Sequence, residues 1–170
     1  MKKWICLVLI FALLGTVALA EVNIGSEAIH YDLELDPVSD DVFSGNKLTV
    51  INVWGTFCGP CIREMPFLGR LAEEYADRGV RFVGIVCDVN NNDQSSLETA
   101  KKIVEATGAD YLHLVPDEDL WERYCVQSDY IPMSWFLDEN GNKLDNLPLV
   151  GSMDYDGWKA AIERRFEELE

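Results

Sequence analysis

Two runs of mostly apolar and β-branched residues, at 47–54 and 80–89, constrain the fold of this chain most strongly. Such runs are typical of strands that are buried on both faces of a parallel sheet. The segment between them predicts an amphipathic helix, because apolar residues recur there at three- and four-residue spacing. A buried strand, a helix and a second buried strand together predict a parallel β-α-β unit. The apolar positions of the intervening helix are Met65, Leu68, Leu71, Ala72 and Tyr75.

The predicted helix begins near Cys58 and ends at 77–79, where the sequence reads Asp-Arg-Gly. Pro60 is compatible with its first turn, because N–H groups in the first turn have no intrahelical acceptor. Pro66 lies inside the pattern and predicts a kink.

Farther along the chain, the sequence predicts a second helix in the region 93–108, a short strand at 111–115 and a third helix at 116–125. A last helix is predicted near the end of the chain from an apolar stripe. The residues of that stripe are Trp158, Ala161, Ile162, Phe166 and Leu169.

A β-hairpin is predicted between the third and last helices. The turn sequence Glu-Asn-Gly-Asn at 139–142 separates two strand-like segments, 133–138 and 143–151. A parallel start followed by an antiparallel hairpin predicts the α/β class, with a mixed central sheet and helices on both faces.

The region before the first buried strand predicts an N-terminal extension over 21–46, followed by one domain over 47–170. Within the extension, 29–35 alternates apolar and polar residues, which predicts an edge strand. The segment 36–46 is acidic and rich in turn residues, which predicts a loop.

The first twenty residues predict a signal peptide. Lys2 and Lys3 precede an uncharged apolar segment that ends in Val-Ala-Leu-Ala, so cleavage is expected after Ala20. The alternative is an uncleaved membrane anchor, since the segment is near the lower length limit for a span. Both alternatives export the domain, because the lysines stay in the cytoplasm. Cys6 lies in this segment and is expected to leave with the signal.

The strong negative charge of the chain, −16 at pH 7, bears on its partners. Such a charge repels nucleic acids and anionic lipid surfaces. It keeps an exported domain soluble, and it leaves open an encounter with a basic partner protein. We therefore expect no nucleic-acid partner.

The sequence Cys58-Gly-Pro-Cys61 follows the first buried strand directly and has three interpretations: a redox site, half of a metal site, or a structural disulfide. A zinc site needs four ligands, and the two histidines, His30 and His113, lack ligand spacing. A disulfide that closes so short a loop constrains the unfolded chain little. The pattern therefore favours redox chemistry, with no metal and no cofactor expected.

Two longer segments carry a resemblance to a known family. The sequence "WGTFCGPCIREMP" at 54–66 and "IPMSWFLDENG" at 131–141 resemble the thioredoxin fold. The motif and the helical insert around 93–108 are similar to the TlpA/ResA-type exported thiol–disulfide oxidoreductases. The resemblance covers about residues 25–168, and it implies a thioredoxin-like mixed sheet.

Cys58 is expected to be the attacking thiol, because it stands where the strand ends and the helix begins. The helix dipole and the free N–H groups there favour its thiolate. Cys61, one turn farther, is expected to resolve the mixed disulfide. Glu64, three residues after Cys61, is expected to exchange protons with that thiol; the alternative is a solvated helix glutamate. Asn52 occupies the place where cytoplasmic-type thioredoxins carry a buried aspartate, which leaves Glu64 as the nearest candidate acid.

The resemblance also implies a substrate-binding surface. Ile131 and Pro132 are similar to the cis-proline loop of the fold, which would face the cysteines and pair with an extended substrate segment. Trp54, Phe57 and Pro60 are expected to surround the thiols and contact substrate, although Trp54 is equally compatible with a core position.

Cys87 and Cys125 allow three interpretations: a second disulfide, a relay of electrons to Cys58 and Cys61, or two inert buried thiols. His30 and His113 are expected to be structural.

The resemblance implies a monomeric, extracytoplasmic reductase of protein disulfides, with apocytochrome c or other exported proteins as substrates and a membrane thiol carrier as electron donor. One alternative is a disulfide oxidase or isomerase of the same fold. Another, of a different class, is a binding module that engages partner proteins through the Ile131 edge without redox chemistry.

Overall fold

The computed structural model describes residues 28–169 of the chain. The predicted signal peptide, its cleavage site after Ala20, Cys6 and the first part of the extension lie outside the described residues. Within 28–169, no helix is both long and apolar enough to cross a membrane.

Seven strands form one mixed sheet, in the order β2-β1-β5-β4-β3-β6-β7. The strands are β1 (Ile29–Asp32), β2 (Pro37–Ser39), β3 (Leu48–Trp54), β4 (Val80–Val86), β5 (Leu112–Val115), β6 (Met133–Leu137) and β7 (Leu149–Val150). The helices are α1 (Gly59–Tyr75), α2 (Gln94–Thr107), α3 (Glu118–Leu120) and α4 (Tyr155–Glu168). Short 3₁₀ turns cover Asp40–Phe43 and Ala76–Arg78, and a π turn covers Trp121–Cys125.

The centre of the sheet agrees with the predicted β-α-β unit. β3 and β4 are parallel along their full length, from Leu48 opposite Val80 to Trp54 opposite Val86. Every residue of β3 is buried, as its apolar sequence predicted. β6 pairs with the other edge of β3 in the antiparallel sense, which makes the sheet mixed and confirms the predicted fold class.

Two predictions for the N-terminal extension are wrong. β1 is not an edge strand, because it hydrogen-bonds β2 on one side and β5 on the other. The segment 36–46 is not only a loop, since it supplies β2 and a 3₁₀ turn. The buried Phe43 in that turn packs against Tyr124 and anchors the extension to the sheet.

Two predictions in the C-terminal half are also only partly right. In the hairpin, the second strand is reduced to Leu149–Val150 and one bridge between Lys143 and Leu137. Between these points Pro148 offers no N–H to the ladder, and Asp145 instead pairs with Arg165 of α4. The helix expected at 116–125 is one short turn, α3, that continues as the π turn.

Helical segments cover both faces of the sheet. On one face, α1 contacts both α2 and α4, and Leu68, Leu71 and Trp158 pack over the sheet. On the other face, α3, the π turn and the first 3₁₀ turn pack through Phe43, Leu120 and Tyr124. The end of β3 therefore meets the start of α1 at the carboxyl edge of the central strands.

The ring of His113 packs directly against the backbone of β4 at Gly84. A side chain there would collide with the ring of His113, which lies directly over the glycine. His113 accepts a hydrogen bond from the Trp54 indole N–H at 3.1 Å through Nδ1, so its Nε2–H donates to the Ala109 carbonyl at 2.9 Å. Burial lowers the pKa of His113 to about 4, which leaves the ring neutral at pH 7. Its position in the core agrees with the structural role expected for it.

Candidate active site

Cys58 and Cys61 form a disulfide at the start of α1. Cys58 is the N-cap residue of the helix, and Cys61 lies in its first turn, with Pro60 between them at a position that needs no intrahelical hydrogen bond. Cys58 is 6% exposed and Cys61 is fully buried. Of the two sulfurs, Cys58 is therefore the one that a partner protein reaches first.

The polar surroundings of Cys58 favour a negative charge on its sulfur. The backbone N–H of Cys61 donates to Cys58 Sγ at 3.2 Å. The sulfur also lies at the N-terminal end of a 17-residue helix, where the unpaired N–H groups carry partial positive charge. After reduction of the disulfide, both features stabilise the thiolate of Cys58 relative to its thiol.

The loop between β3 and Cys58 is held by Asp88, a residue that sequence reasoning missed. The backbone N–H of Thr56 donates to Asp88 Oδ1 at 2.9 Å, and the Thr56 hydroxyl donates to the same carboxylate. Asp88 stands just beyond the end of β4, at the edge where the parallel strands end. That position was a usable signal, because polar groups at this edge commonly build sites in α/β sheets.

The loop before β6 faces the disulfide. The peptide bond between Ile131 and Pro132 is cis, as the resemblance implied. The carbonyl oxygen of Ile131 lies 3.8 Å from Cys58 Sγ. Pro132 has no backbone N–H, so it adds no donor at this position.

Glu64, three residues after Cys61 on α1, is buried, with only 1% of its surface exposed. Its Oε1 accepts a hydrogen bond from Asn52 Nδ2 at 3.1 Å. Its Oε2 accepts from the Met153 backbone N–H at 3.0 Å and from the Trp158 indole N–H at 3.1 Å. The alternative of a solvated helix glutamate is therefore wrong.

Burial raises the pKa of Glu64 to about 7, although the hydrogen bonds from Met153, Trp158 and Asn52 each lower it. Desolvation is the largest cause, because the free energy lost by removing the carboxylate from water exceeds the stabilisation from its three hydrogen-bond donors. At neutral pH the side chain is thus divided between its acid and its base forms. A carboxyl group in that condition can both accept and donate a proton.

Asn52 connects Glu64 to the neighbouring strand. Its amide Nδ2 donates to Glu64 Oε1 and also to the Ser134 hydroxyl at 3.1 Å. Its Oδ1 is buried and has no hydrogen-bond partner among the described residues. Rotation of this amide would present Oδ1 to a protonated Glu64, so the pair can accommodate both forms of the carboxyl group.

The residues expected to contact substrate fall into two groups. Phe57 is 75% exposed, and Pro60 is also exposed, so both are accessible beside the disulfide. Trp54 is fully buried and packs in one apolar cluster with Cys58 and Cys61. The prediction that Trp54 touches substrate is therefore wrong, because its indole is directed into the core towards His113.

A groove of about 410 Å³ lies next to the cysteines, between Phe57 and Ile131 on one side and the π turn on the other. Cys87 and Cys125 line it, and both are free thiols in the structure, so the second disulfide that was one of their three interpretations is not formed here. Burial raises the pKa of Cys87 to about 11 and that of Cys125 to about 12. Both thiols are protonated at neutral pH.

His30 is buried and forms a cluster with two partly exposed carboxylates. Its Nδ1 is 2.7 Å from Asp117 and its Nε2 is 3.1 Å from Asp40. His30, Asp117 and Asp119 have the spacing of metal ligands, yet Arg123 already pairs with Asp119 and Asp40. The cluster joins the extension to α3, which is the structural role expected for His30.

Comparisons with known proteins agree with this geometry. A family model described as Redoxin matches residues 28–142. The thioredoxin-like protein YneN of Bacillus subtilis is 26% identical over 153 residues, which cover 83% of this chain and 86% of YneN. The thiol-disulfide oxidoreductase ResA of Halalkalibacterium halodurans is 31% identical over 122 residues, which cover 69% of this chain and 64% of that protein.

Solved structures show the same fold. A thiol:disulfide interchange protein of the thioredoxin family from Chlorobium tepidum aligns with a TM-score of 0.68 and 22% identity. The alignment covers 82% of this chain and 93% of that one. At this identity, the likeness establishes the thioredoxin-like architecture and no more.

Proposed function

The chain belongs to the Redoxin family, and from this membership we propose that it is an extracytoplasmic reductase of protein disulfides. That it is a thiol–disulfide oxidoreductase follows from its Cys58–Cys61 disulfide and from relatives that carry this name. The observation that carries the proposal is the N–H of Cys61 on Cys58 Sγ at the helix start, with the buried Glu64 one turn farther along.

In the first step, the reduced protein attacks a substrate disulfide with the Cys58 thiolate. A new S–S bond forms between Cys58 and one substrate sulfur, and the other substrate sulfur leaves as a thiolate. The helix N-terminus lowers the cost of holding charge on Cys58 before the attack. The substrate sulfur that leaves as a thiolate then takes a proton from water.

In the second step, the Cys61 thiolate attacks Cys58 Sγ, which forms the Cys58–Cys61 bond and releases the substrate sulfur as a thiolate that takes a proton from water. Cys61 is fully buried, so its thiol needs a nearby acceptor for its proton. Glu64 serves as that acceptor, because its pKa of about 7 leaves a large fraction in the base form at neutral pH. The products are the reduced substrate and the Cys58–Cys61 disulfide that the structure contains.

Substrate recognition is assigned to the cis-proline loop and to the groove beside it. The Ile131 carbonyl lies beside Cys58, so an extended segment pairing with the Ile131 backbone would bring its cysteine to that sulfur. The exposed ring of Phe57, which lines the same groove as Ile131, supplies apolar contact area for the substrate.

The direction of electron flow and the location are also part of the proposal. Gly59-Pro60 is the dipeptide of reducing thioredoxins, which supports a reductase fed by a membrane thiol carrier. The signal-like sequence at 1–20 supports an extracytoplasmic location, where a monomer would reduce apocytochrome c or other exported proteins. The reduction potential decides the direction, because electrons pass from the dithiol of lower potential to the disulfide of higher potential.

Trapping in the native host tests the proposal. A Cys61→Ser protein is expected to accumulate as a mixed disulfide with its substrate on Cys58, and reductant should release both partners. The Cys58→Ser/Cys61→Ser double variant is the matched control and should trap nothing.

Two results would overturn the proposal. A reduction potential above about −150 mV would assign the dithiol to an oxidase or isomerase. A Cys58→Ser protein that still engages and processes its partners normally would make the chain a binding module.

A further inference from the structure

The wall of the groove beside Cys58 contains a second pair of cysteines that the mechanism does not use. Cys87 follows β4 directly, and Cys125 is the last residue of the π turn. Both line the same groove, and both belong to the apolar cluster on that face of the sheet. They lie 38 positions apart in the sequence, so only the folded chain places the two thiols in one groove.

We propose that Cys87 and Cys125 form a second redox-active dithiol, which closes into a disulfide across the wall of this groove. The groove also contains Phe57 and Ile131, which flank the first disulfide. Closing the second pair would therefore covalently link the end of β4 to the π turn at the edge of the substrate surface.

The segment that carries Cys125 departs from regular α-helix geometry. It is one π turn of five residues, a geometry that often marks functional positions in helices. Its contacts with the sheet include one hydrogen bond from the Trp135 indole N–H to the Tyr124 carbonyl, at 3.1 Å. Cys87 is only partly buried, so a soluble disulfide reaches it more easily than it reaches Cys125.

The reaction balances with a small disulfide as oxidant. The Cys87 thiolate attacks the soluble disulfide RSSR, forming a Cys87–SR bond and releasing one RS⁻. The Cys125 thiolate then attacks Cys87 Sγ, forming the Cys87–Cys125 bond and releasing the second RS⁻. Two thiols lose two electrons and two protons, and RSSR becomes two RSH. Oxidised glutathione is such a disulfide.

The surroundings of the pair make this reaction slow at neutral pH. Burial holds the pKa of Cys87 far above its usual range, and the negative charge of Asp88 adds to the rise. No positive charge in the groove offsets this rise in pKa, because the other titratable residues that line it are Cys125 and Asp129. Thiolate concentration should then limit the rate, which is expected to rise about tenfold per pH unit between pH 7 and 9.

A test uses the full chain with Cys6→Ser, Cys58→Ser and Cys61→Ser, so that Cys87 and Cys125 are the remaining thiols. Treated with oxidised glutathione, this protein should lose the mass of two hydrogen atoms, and non-reducing peptide mapping should join the two cysteine peptides. Adding Cys125→Ser should instead leave a stable glutathione adduct on Cys87.

Two outcomes would overturn the inference: two glutathione adducts on one folded chain, or no reaction at pH 9 although both thiols react after unfolding. Because the variant lacks Cys58 and Cys61, either of these results leaves the proposed reductase function untouched.

Discussion

The indole N–H of Trp158 donates a 3.1 Å hydrogen bond to Glu64, a residue 94 positions earlier in the chain. Trp158 belongs to α4, whereas Glu64 lies on α1 behind the redox cysteines. The last helix therefore contacts the carboxyl group for which we propose a role in proton exchange.

Glu64→Gln is expected to slow the resolution of mixed disulfides at Cys61, because no carboxylate remains to accept its proton. General acid–base groups typically contribute about 10²- to 10⁴-fold. Stopped-flow measurement of mixed-disulfide decay between pH 5 and 9 checks this, and the variant should also lose the inflection near pH 7. Glu73→Gln, an exposed position on the same helix, is the control and should behave as wild type. Unchanged decay in Glu64→Gln would remove Glu64 from the mechanism.

Stability should fall as pH rises through the pKa of Glu64. The folded state raises that pKa from 4.5 to about 7, so folded protein holds the proton more tightly than unfolded protein. Below pH 4.5 both states are protonated and there is no penalty; above pH 7 the full penalty of about 3 kcal/mol applies. Urea unfolding of the oxidised protein should show Glu64→Gln gaining stability relative to wild type from pH 5 to pH 8. A difference that does not change with pH would contradict the buried charge.

Trp158→Phe is expected to raise the pKa of Glu64 further, because the indole hydrogen bond that favours the carboxylate is lost. The pH profile of resolution should then move to higher pH, while the smaller phenyl ring retains part of the apolar packing. Trp135→Phe is a matched control, since its buried indole N–H donates to the Tyr124 carbonyl on the opposite face of the sheet. Equal shifts in both variants would indicate a general loss of packing.

Phe57→Ala should weaken the reduction of protein disulfides while leaving the reduction of a small aromatic disulfide unchanged. The ring is 75% exposed, so its loss should alter the free energy of unfolding by less than about 0.5 kcal/mol. Leu147→Ala, at 74% exposure and outside the groove lining, is the control. Comparison of KM for insulin and for the small disulfide decides the matter. Parallel losses on both substrates would place Phe57 in the chemistry and not in recognition.

Much of this site was predictable because its signals are local. An apolar β-branched run predicts a buried strand, a three-to-four periodicity predicts the helix after it, and two cysteines at their junction predict a thiol at a helix N-terminus. The structure has β3, α1 and the Cys58–Cys61 disulfide in that arrangement. The Ile131-Pro132 loop was accessible through family resemblance.

Other features depended on partners that no local pattern identifies. The sequence is compatible with either a core or a surface position for Trp54, and in the structure its indole is buried and hydrogen-bonded to His113. The alternating pattern of β1 predicts an edge strand, whereas in the structure β2 pairs with its outer edge. Cys87 and Cys125 were two isolated cysteines until the fold placed them in one groove.

By itself, the sequence determined that this chain builds a β-α-β unit with a dithiol at the start of its helix, because backbone periodicity and helix-end chemistry act over a few residues. Only the tertiary structure decided that Glu64 is buried with a pKa near neutrality. That pKa arises from desolvation, and the groups that enclose the carboxyl, Met153 and Trp158, lie 89 and 94 residues away along the chain.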